Sequence, residues 1–115
     1  MNNENFGLKI NDDVIARMVE MAALETTGVA AMGVRPTASR LLAKKDGTKS
    51  VEVKNDNGIL NVELYIKVFD NEKVSVIAER VQQSVKEKLQ GMTGNAVTHV
   101  NVVVSDIAFT EDEKK

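Results

Sequence analysis

Cysteine is absent from this chain of 115 residues, histidine occurs once, and aromatic residues make up only 3%. Without cysteine there is no disulfide framework, no thiol nucleophile and no thiolate metal ligand, which fits a reducing compartment. A metal site needs several ligands, and His99 has no second histidine or cysteine to join it. We therefore expect no metal site. We interpret His99 as an ordinary strand residue, the alternative being a pH-sensitive contact.

The sequence also lacks a long hydrophobic run and a strong excess of charge of either sign. Its apolar runs fall far short of the roughly 20 residues that a membrane-spanning helix needs. No basic stretch followed by an apolar one opens the chain in the manner of a signal peptide. We therefore expect a cytoplasmic protein with no direct membrane insertion. Because the formal net charge is only −2, any recognition of an anion must come from a local patch.

What the sequence does contain is the patterning of one small domain. A chain of this length buries roughly two-thirds of its unfolded surface, which is enough for a hydrophobic core without disulfides or metals. We expect a single domain over residues 1–115, with an ordered core at about 6–107. Flexible tails are expected at 1–5 and 110–115, where the sequence is polar or charged.

The N-terminal part of the pattern predicts a short strand and a helix. Apolar residues alternate with a lysine at 8–10, which predicts the strand, and Asn11 is suited to cap the helix that follows. The helix is expected to run to about residue 27, with Gly28 as the residue after its end. Val14 and Met21 widen its apolar stripe, which predicts contacts with both a sheet and a second helix.

The most specific local signal is Asn57-Gly58, which lies between two segments of alternating apolar residues. This dipeptide predicts a hairpin with a two-residue type I′ turn. The turn length fixes the register and places the apolar residues of both strands on one face. The predicted opposing pairs are Asp56 and Ile59, Val53 and Val62, and Val51 and Leu64, together with the like-charged pair Glu52 and Glu63.

The C-terminal part of the pattern predicts a second helix and a last strand. Apolar residues recur at three- and four-residue spacing from Val74 to Leu89, which is typical of an amphipathic helix. A strand at Val97–Val104 follows, and the strand–helix–strand connection makes the last strand parallel to its neighbour. The predicted fold is α+β, with two main helices on one face of a small mixed sheet and the order β-α-β-β-α-β.

Segment 30–48 has no predicted structure apart from a short helix that could form at 39–45, because Gly33 and Pro36 interrupt it. It is nevertheless the best candidate for a partner contact, since it concentrates positive charge. The candidate partner-binding residues are Arg35, Arg40, Lys44 and Lys45. An ordinary solvated loop explains these residues as well.

Two further motifs have a functional and a structural interpretation. Gly91-Met92-Thr93-Gly94 matches the G-x-x-G pattern of KH modules, which makes a small RNA- or nucleic-acid-binding module the alternative function. A helix cap followed by a turn explains both glycines equally. Asp12, Asp13 or His99 could serve in a small enzyme, but acids in a first helical turn also stabilise the helix dipole. We favour the structural interpretations and expect no catalytic residue, no cofactor and no small-molecule substrate.

Several stretches taken together resemble the alkaline shock protein family of envelope stress response proteins, found mainly in Gram-positive bacteria. The matching stretches are Gly7-Leu8-Lys9-Ile10, Val14-Ile15, Ala22-Ala23-Leu24-Glu25, Gly28-Val29, Val62-Glu63-Leu64-Tyr65, Met92-Thr93-Gly94, Val97 and Val100-Asn101-Val102. Their order and spacing, from about Phe6 to Ile107, make the resemblance specific. Two features depart from the family pattern: Ser75 stands where many relatives have a proline, and segment 30–48 matches no stretch of the family.

The resemblance implies a non-enzymatic, cytoplasmic protein linked to alkaline and cell-envelope stress. Some family members are held at the inner face of the membrane by a membrane-anchored partner, and some self-assemble. By resemblance we expect a scaffold or adaptor that acts through protein–protein contacts and forms homo-oligomers. An envelope-stress role and a housekeeping role in lipid metabolism are both open at this point.

Overall fold

A computed structural model of the chain describes residues 10–34, 50–56, 58–94 and 97–109. Two helices and four strands lie within these ranges. In chain order they are α1 (Asp12–Leu24), β1 (Val29–Met32), β2 (Val51–Asp56), β3 (Ile59–Phe69), α2 (Val74–Thr93) and β4 (Val97–Ala108). The predicted α+β class is confirmed.

The central strand of the sheet is β3. Along one side it pairs antiparallel with β2 and, further on, with β1. Along its other side it pairs parallel with β4, as the connection through α2 requires. The sheet is therefore mixed, as predicted. The predicted hairpin register is also confirmed at Asp56 and Ile59, Val53 and Val62, Val51 and Leu64, and Glu52 and Glu63.

The hydrophobic core lies between one face of the sheet and both described helices. Alternate residues of β3 face the helices, since side chains alternate along a strand, and these residues are at most 2% exposed. The residues that form the centre of the core are Leu60, Val62, Leu64, Ile66 and Val68 of β3, Ile15, Val19, Ala22 and Ala23 of α1, and Ile77, Val81, Val85 and Leu89 of α2. The helical spacing of the α2 residues is the one that the sequence predicts.

The start of α1 follows the sequence, but its apolar stripe is narrower than expected. The side-chain oxygen of Asn11 accepts a hydrogen bond from the Asp13 amide at 2.9 Å, so the predicted cap is confirmed. Val14 and Met21, however, are 49% and 54% exposed. The expectation that both pack inside was wrong, because the helical repeat turns them away from the buried Val19.

The end of α1 also differs from the prediction. The helix stops at Leu24 with Glu25 as its cap, so the assignment of Gly28 as the residue after the helix was wrong. Gly28 instead has φ 103°, and its carbonyl accepts a hydrogen bond from the Phe69 amide at 2.9 Å. The chain turns early because the next residues have to join β3.

Those next residues form β1, a strand that the sequence does not predict. It has only four residues, and its pairing with β3 is irregular between Val29 and Ala31. A bulge in so short a strand removes the alternation by which strands are recognised. Conversely, the strand predicted at 8–10 lies outside the described residues except for Ile10, which belongs to no strand and packs against the core.

The longer helix, α2, begins at Val74 and closes at Gly94, which caps it in a left-handed conformation with φ 76°. Arg80 fixes it to the neighbouring loops, because its guanidinium donates to the Thr27 carbonyl at 2.7 Å and to a Glu72 carboxylate oxygen at 2.9 Å. Neither of the described helices combines the length and the apolar character needed to cross a membrane.

Candidate functional site

The candidate acid–base residues do not come together. Asp12 and Asp13 open α1, and His99 lies on β4 opposite Asn61. All three side chains are exposed. Asp12 and Asp13 belong to a helix on one face of the sheet, whereas His99 lies on the other face. The part of the chain that the structure describes also contains no cluster of three or more potential metal-binding side chains.

The G-x-x-G motif forms the end of a helix. Gly91, Met92 and Thr93 are the last residues of α2 and Gly94 is its cap. The Gly94 amide donates to the Gln90 carbonyl at 3.1 Å, and the Thr93 hydroxyl donates to the Leu89 carbonyl at 2.7 Å. A KH loop joins two helices, whereas this motif leads from α2 towards β4. This geometry favours the capping interpretation.

Replacing Gly91 by alanine should stabilise the protein. A Cβ at Gly91 would have no atom within 4 Å, and alanine is favoured over glycine inside a helix by about 0.5–1 kcal/mol. Gly94→Ala is the matched control, since its positive φ should lower the free energy of unfolding by about 1 kcal/mol. Urea denaturation measures both changes. Destabilisation by Gly91→Ala would contradict the assignment of this residue to the helix interior.

The candidate partner-binding residues Arg35, Arg40, Lys44 and Lys45 lie outside the described residues, so their role stays a prediction. The residues at which the chain leaves the sheet before this segment and returns after it, Gly33 and Ser50, are within the described ranges. The Gly33 amide donates to the Tyr65 carbonyl at 2.6 Å, and the Tyr65 amide donates to the Ser50 carbonyl at 2.9 Å. The Ser50 hydroxyl also donates to the Gly33 carbonyl at 2.7 Å. The two described residues that flank the segment, Gly33 and Ser50, therefore lie at one place beside β3.

On the sheet face away from the helices, a polar network centres on Glu63. Its carboxylate accepts hydrogen bonds from the Tyr65 hydroxyl at 3.3 Å and from the Asn101 amide group at 3.0 Å. Tyr65 is only 7% exposed although it lies on this outer face. Sequence reasoning missed the network, because Asn101 comes from a different strand than Glu63 and Tyr65 and the three residues form no motif. The network ties β3 to β4 and holds Tyr65 in place.

The two edges of the sheet differ in length and charge. On one side lie β1, with four residues, and β2, with six residues that include Glu52, Lys54 and Asp56. On the other side lies β4, with twelve residues and one acidic residue, Asp106. No described strand pairs with the outer edge of β4. Such an edge exposes backbone groups to which another strand can bind. The sequence does not say which strand lies at this edge, because strand order depends on contacts between distant residues.

Two bacterial proteins are similar to this chain over most of its length. The uncharacterized protein Spy1614 of Streptococcus pyogenes serotype M6 is 30% identical over 111 residues, which cover 93% of this chain and 92% of that protein. The uncharacterized protein YloU of Bacillus subtilis is 27% identical over 107 residues, covering 90% and 89%. Both come from Gram-positive bacteria, as the resemblance implies.

Solved structures of MamM CTD have a similar fold. A manganese form aligns with a TM-score of 0.58 and 14% identity, covering 84% of this chain and 99% of that chain. A copper form aligns with a TM-score of 0.57 and 14% identity, covering 82% and 84%. At this identity the likeness concerns the fold alone, and the metals of those structures are not carried over.

The broadest match is to a protein family. Residues 1–109 match the family of alkaline shock protein 23, described as having a cell envelope-related function. The match extends over both described helices and all four described strands. It agrees with the stretches on which the sequence resemblance rests. The chain therefore belongs to the alkaline shock protein 23 family, whose function is related to the cell envelope.

Proposed function

We propose that the protein is a non-enzymatic adaptor or scaffold of the envelope stress response, held from the cytoplasm at the inner face of the membrane by a membrane-anchored partner. It acts through protein–protein contacts and self-association. The observation that carries this proposal is the match of residues 1–109 to a family with a cell envelope-related function. We assign the partner contact to residues 35–48, called the basic segment below, and self-association to an edge of the sheet.

The arrangement of the described residues supports an adaptor rather than an enzyme. Aliphatic side chains from α1, α2 and β3 fill the space between helices and sheet, and the three acid–base candidates lie apart and exposed. Hydrogen bonds fix the loops as well, for example from Arg80 to the Thr27 carbonyl. A body of this kind is suited to present binding surfaces in a fixed relative position.

The charge of the basic segment supports its role as the partner surface. It carries four basic residues and one acidic residue in a chain whose net charge is −2. The described residues that flank it, Gly33 and Ser50, are both hydrogen-bonded to Tyr65, so the segment is joined to the sheet at one place. A partner with an acidic cytoplasmic segment is complementary to it, and such complementarity mainly raises the rate and specificity of association.

A crosslinked pull-down from the native cell tests the proposal. The full chain is compared with a variant in which a short Gly-Ser linker replaces residues 35–48. Because Ser50 and Gly33 are joined by a hydrogen bond of 2.7 Å, a short linker can close the gap without disturbing the sheet. We expect the full chain to capture a membrane-anchored protein and the variant to lose it while retaining its thermal unfolding transition.

A point variant refines this experiment. Arg40→Ala together with Lys44→Ala removes two positive charges and leaves the length of the basic segment unchanged, so the yield of the crosslinked partner should fall. Capture of the same protein by the linker variant would show that the partner binds elsewhere. Recovery of no envelope protein with the full chain would contradict the adaptor role itself.

A further inference from the structure

We infer that the outer edge of β4, with which no strand of the described residues pairs, is the self-association surface, and that its occupant is β4 of a second copy, paired antiparallel about a two-fold axis at Val102. The two sheets then form one continuous sheet, with the helices of both copies on the same face. This inference rests on the self-association in the proposed function. It adds the strand, its direction and its register.

The first argument is the direction of the backbone groups along β4. The side chain of Gln82 donates to the Val100 carbonyl at 2.8 Å, so this carbonyl is directed away from β3 and towards the open edge. The backbone N–H and C=O groups of alternate residues in a strand point the same way. Those of Val102 and Val104 are therefore also directed away from β3. When two copies pair, the Val100 carbonyl accepts a hydrogen bond from a backbone amide of the second copy in place of the one from Gln82.

The second argument is that the apolar side chains on the helix side of β4 are incompletely buried. Val100 is 4% exposed, whereas Val102, Val104 and Ile107 on the same side of β4 are only partly buried, although they pack against the core. The residues beside them on the neighbouring strand β3 are not partly exposed in this way, since Leu64 and Ile66 are fully buried. The apolar layer thus continues to the open edge of the sheet. A second β4 placed there covers this row with apolar surface.

The third argument is the absence of the usual protection against edge pairing. Exposed edge strands are commonly short or carry lysine or proline. Val97–Ala108 contains no lysine, arginine, glutamate or proline, and its one acidic side chain, Asp106, lies 3.8 Å from Lys67 of the neighbouring strand. Two copies of this strand therefore approach each other without facing like charges near the axis.

The register follows from where the regular strand ends. Pairing between β3 and β4 shifts between Ile66 and Lys67, leaving Ser105 as an extra residue, so the regular part of β4 stops at Val104. An axis at Val102 places each Val100 opposite Val104 of the other copy. In this register each of the helix-side residues Val100, Val102 and Val104 lies opposite a residue of the same set in the other copy. An isologous contact requires such self-complementarity.

Cysteine crosslinking tests the register, and it has no background because the chain contains no cysteine. Opposite residues of an antiparallel pair have Cα atoms roughly 4.5–5.5 Å apart, within the range of a disulfide. Val102→Cys should therefore form a covalent dimer under mild oxidation. In Asn101→Cys, the matched control, the two copies of the residue lie about 8 Å apart. Efficient crosslinking of Asn101→Cys without that of Val102→Cys would overturn the register.

Sedimentation velocity on the full chain tests the surface itself. The unmodified protein should dimerise, and Val102→Lys, which brings two like charges together at the axis, should weaken the dimer at least about tenfold. Val53→Lys is the matched control. Val53 is another partly buried valine on the helix side, but it lies on β2 at the opposite edge, so this variant should lose similar thermal stability and keep the dimer.

Two results would overturn the inference, and both differ from a failure of the proposed function. The first is an unmodified protein that stays monomeric at millimolar concentration. A β4 edge covered by the protein's own N-terminal residues would give this result. The second is a dimer that Val102→Lys and Val53→Lys affect equally. Capture of the membrane-anchored partner is measured separately, so a monomer that still captures it refutes the edge contact and leaves the adaptor role standing.

Discussion

Val81→Asp is expected to lower the free energy of unfolding by about 4 kcal/mol or more, since an unpaired buried charge is among the most destabilising changes known. Val81 is 0% exposed and belongs to the row of α2 that packs on the sheet. Its neighbours in that row, Ile77 and Val85, offer no cation or hydrogen-bond donor. Because small domains are stable by only about 5–15 kcal/mol, much of the folded population should be lost.

Lys86→Asp is the control for that change, because it introduces the same side chain on the other side of α2. Lys86 is only partly buried, and exposed helix positions tolerate such replacements within about 1 kcal/mol. Chemical denaturation followed by circular dichroism gives both midpoints. Equal midpoints for the two variants would mean that α2 presents a different face to the sheet.

Gly28→Ala should produce the second large effect, a loss of about 3 kcal/mol from backbone strain and overpacking together. The backbone at Gly28 has φ 103°, a value that residues with a Cβ rarely adopt. A Cβ at this position would also lie 2.8 Å from Cγ1 of Ile77 and 2.9 Å from its Cδ1. Ile77 is fully buried, so it has little room to move away.

Two controls separate these contributions. Gly94 also has a positive φ, 76°, but a Cβ there meets no atom within 4 Å, so Gly94→Ala reports backbone strain alone. Ile77→Ala removes the atoms that a new Cβ at Gly28 would contact. The double variant Gly28→Ala, Ile77→Ala should therefore be less destabilised than the sum of the single variants. Strict additivity would contradict the close approach of α2 to this turn.

Local sequence signals were sufficient to predict the structure where the residues within one stretch determine its conformation. Asn57-Gly58 fixes the hairpin register without reference to the rest of the chain, and all predicted pairs are present. The spacing from Ile77 to Leu89 likewise defines the buried side of α2. In both cases the side-chain period equals that of the secondary structure, so the pattern and the packing agree.

Prediction failed where a position depends on residues far away in the chain. β1 has four residues and an irregular pairing, so only β3 beside it makes it a strand. Gly28 was assigned to a helix end, whereas Ile77 and the path into β1 determine its conformation. The candidate sites follow the same rule, because the Glu63 network and the open edge of β4 exist only after the strands have been placed side by side.

The sequence by itself determined the class of the fold, the hairpin, the buried row of α2 and the family, since each depends on side chains close together along the chain or on the order of such segments. Only the tertiary structure decided that β4 forms one edge of the described sheet and that β1 and β2 share the other, because strand order depends on contacts between distant residues. It also decided that Val14 and Met21 are exposed and that Tyr65 is buried. Apolar patterning reports which residues can be buried, whereas the neighbours available after folding decide which of them are.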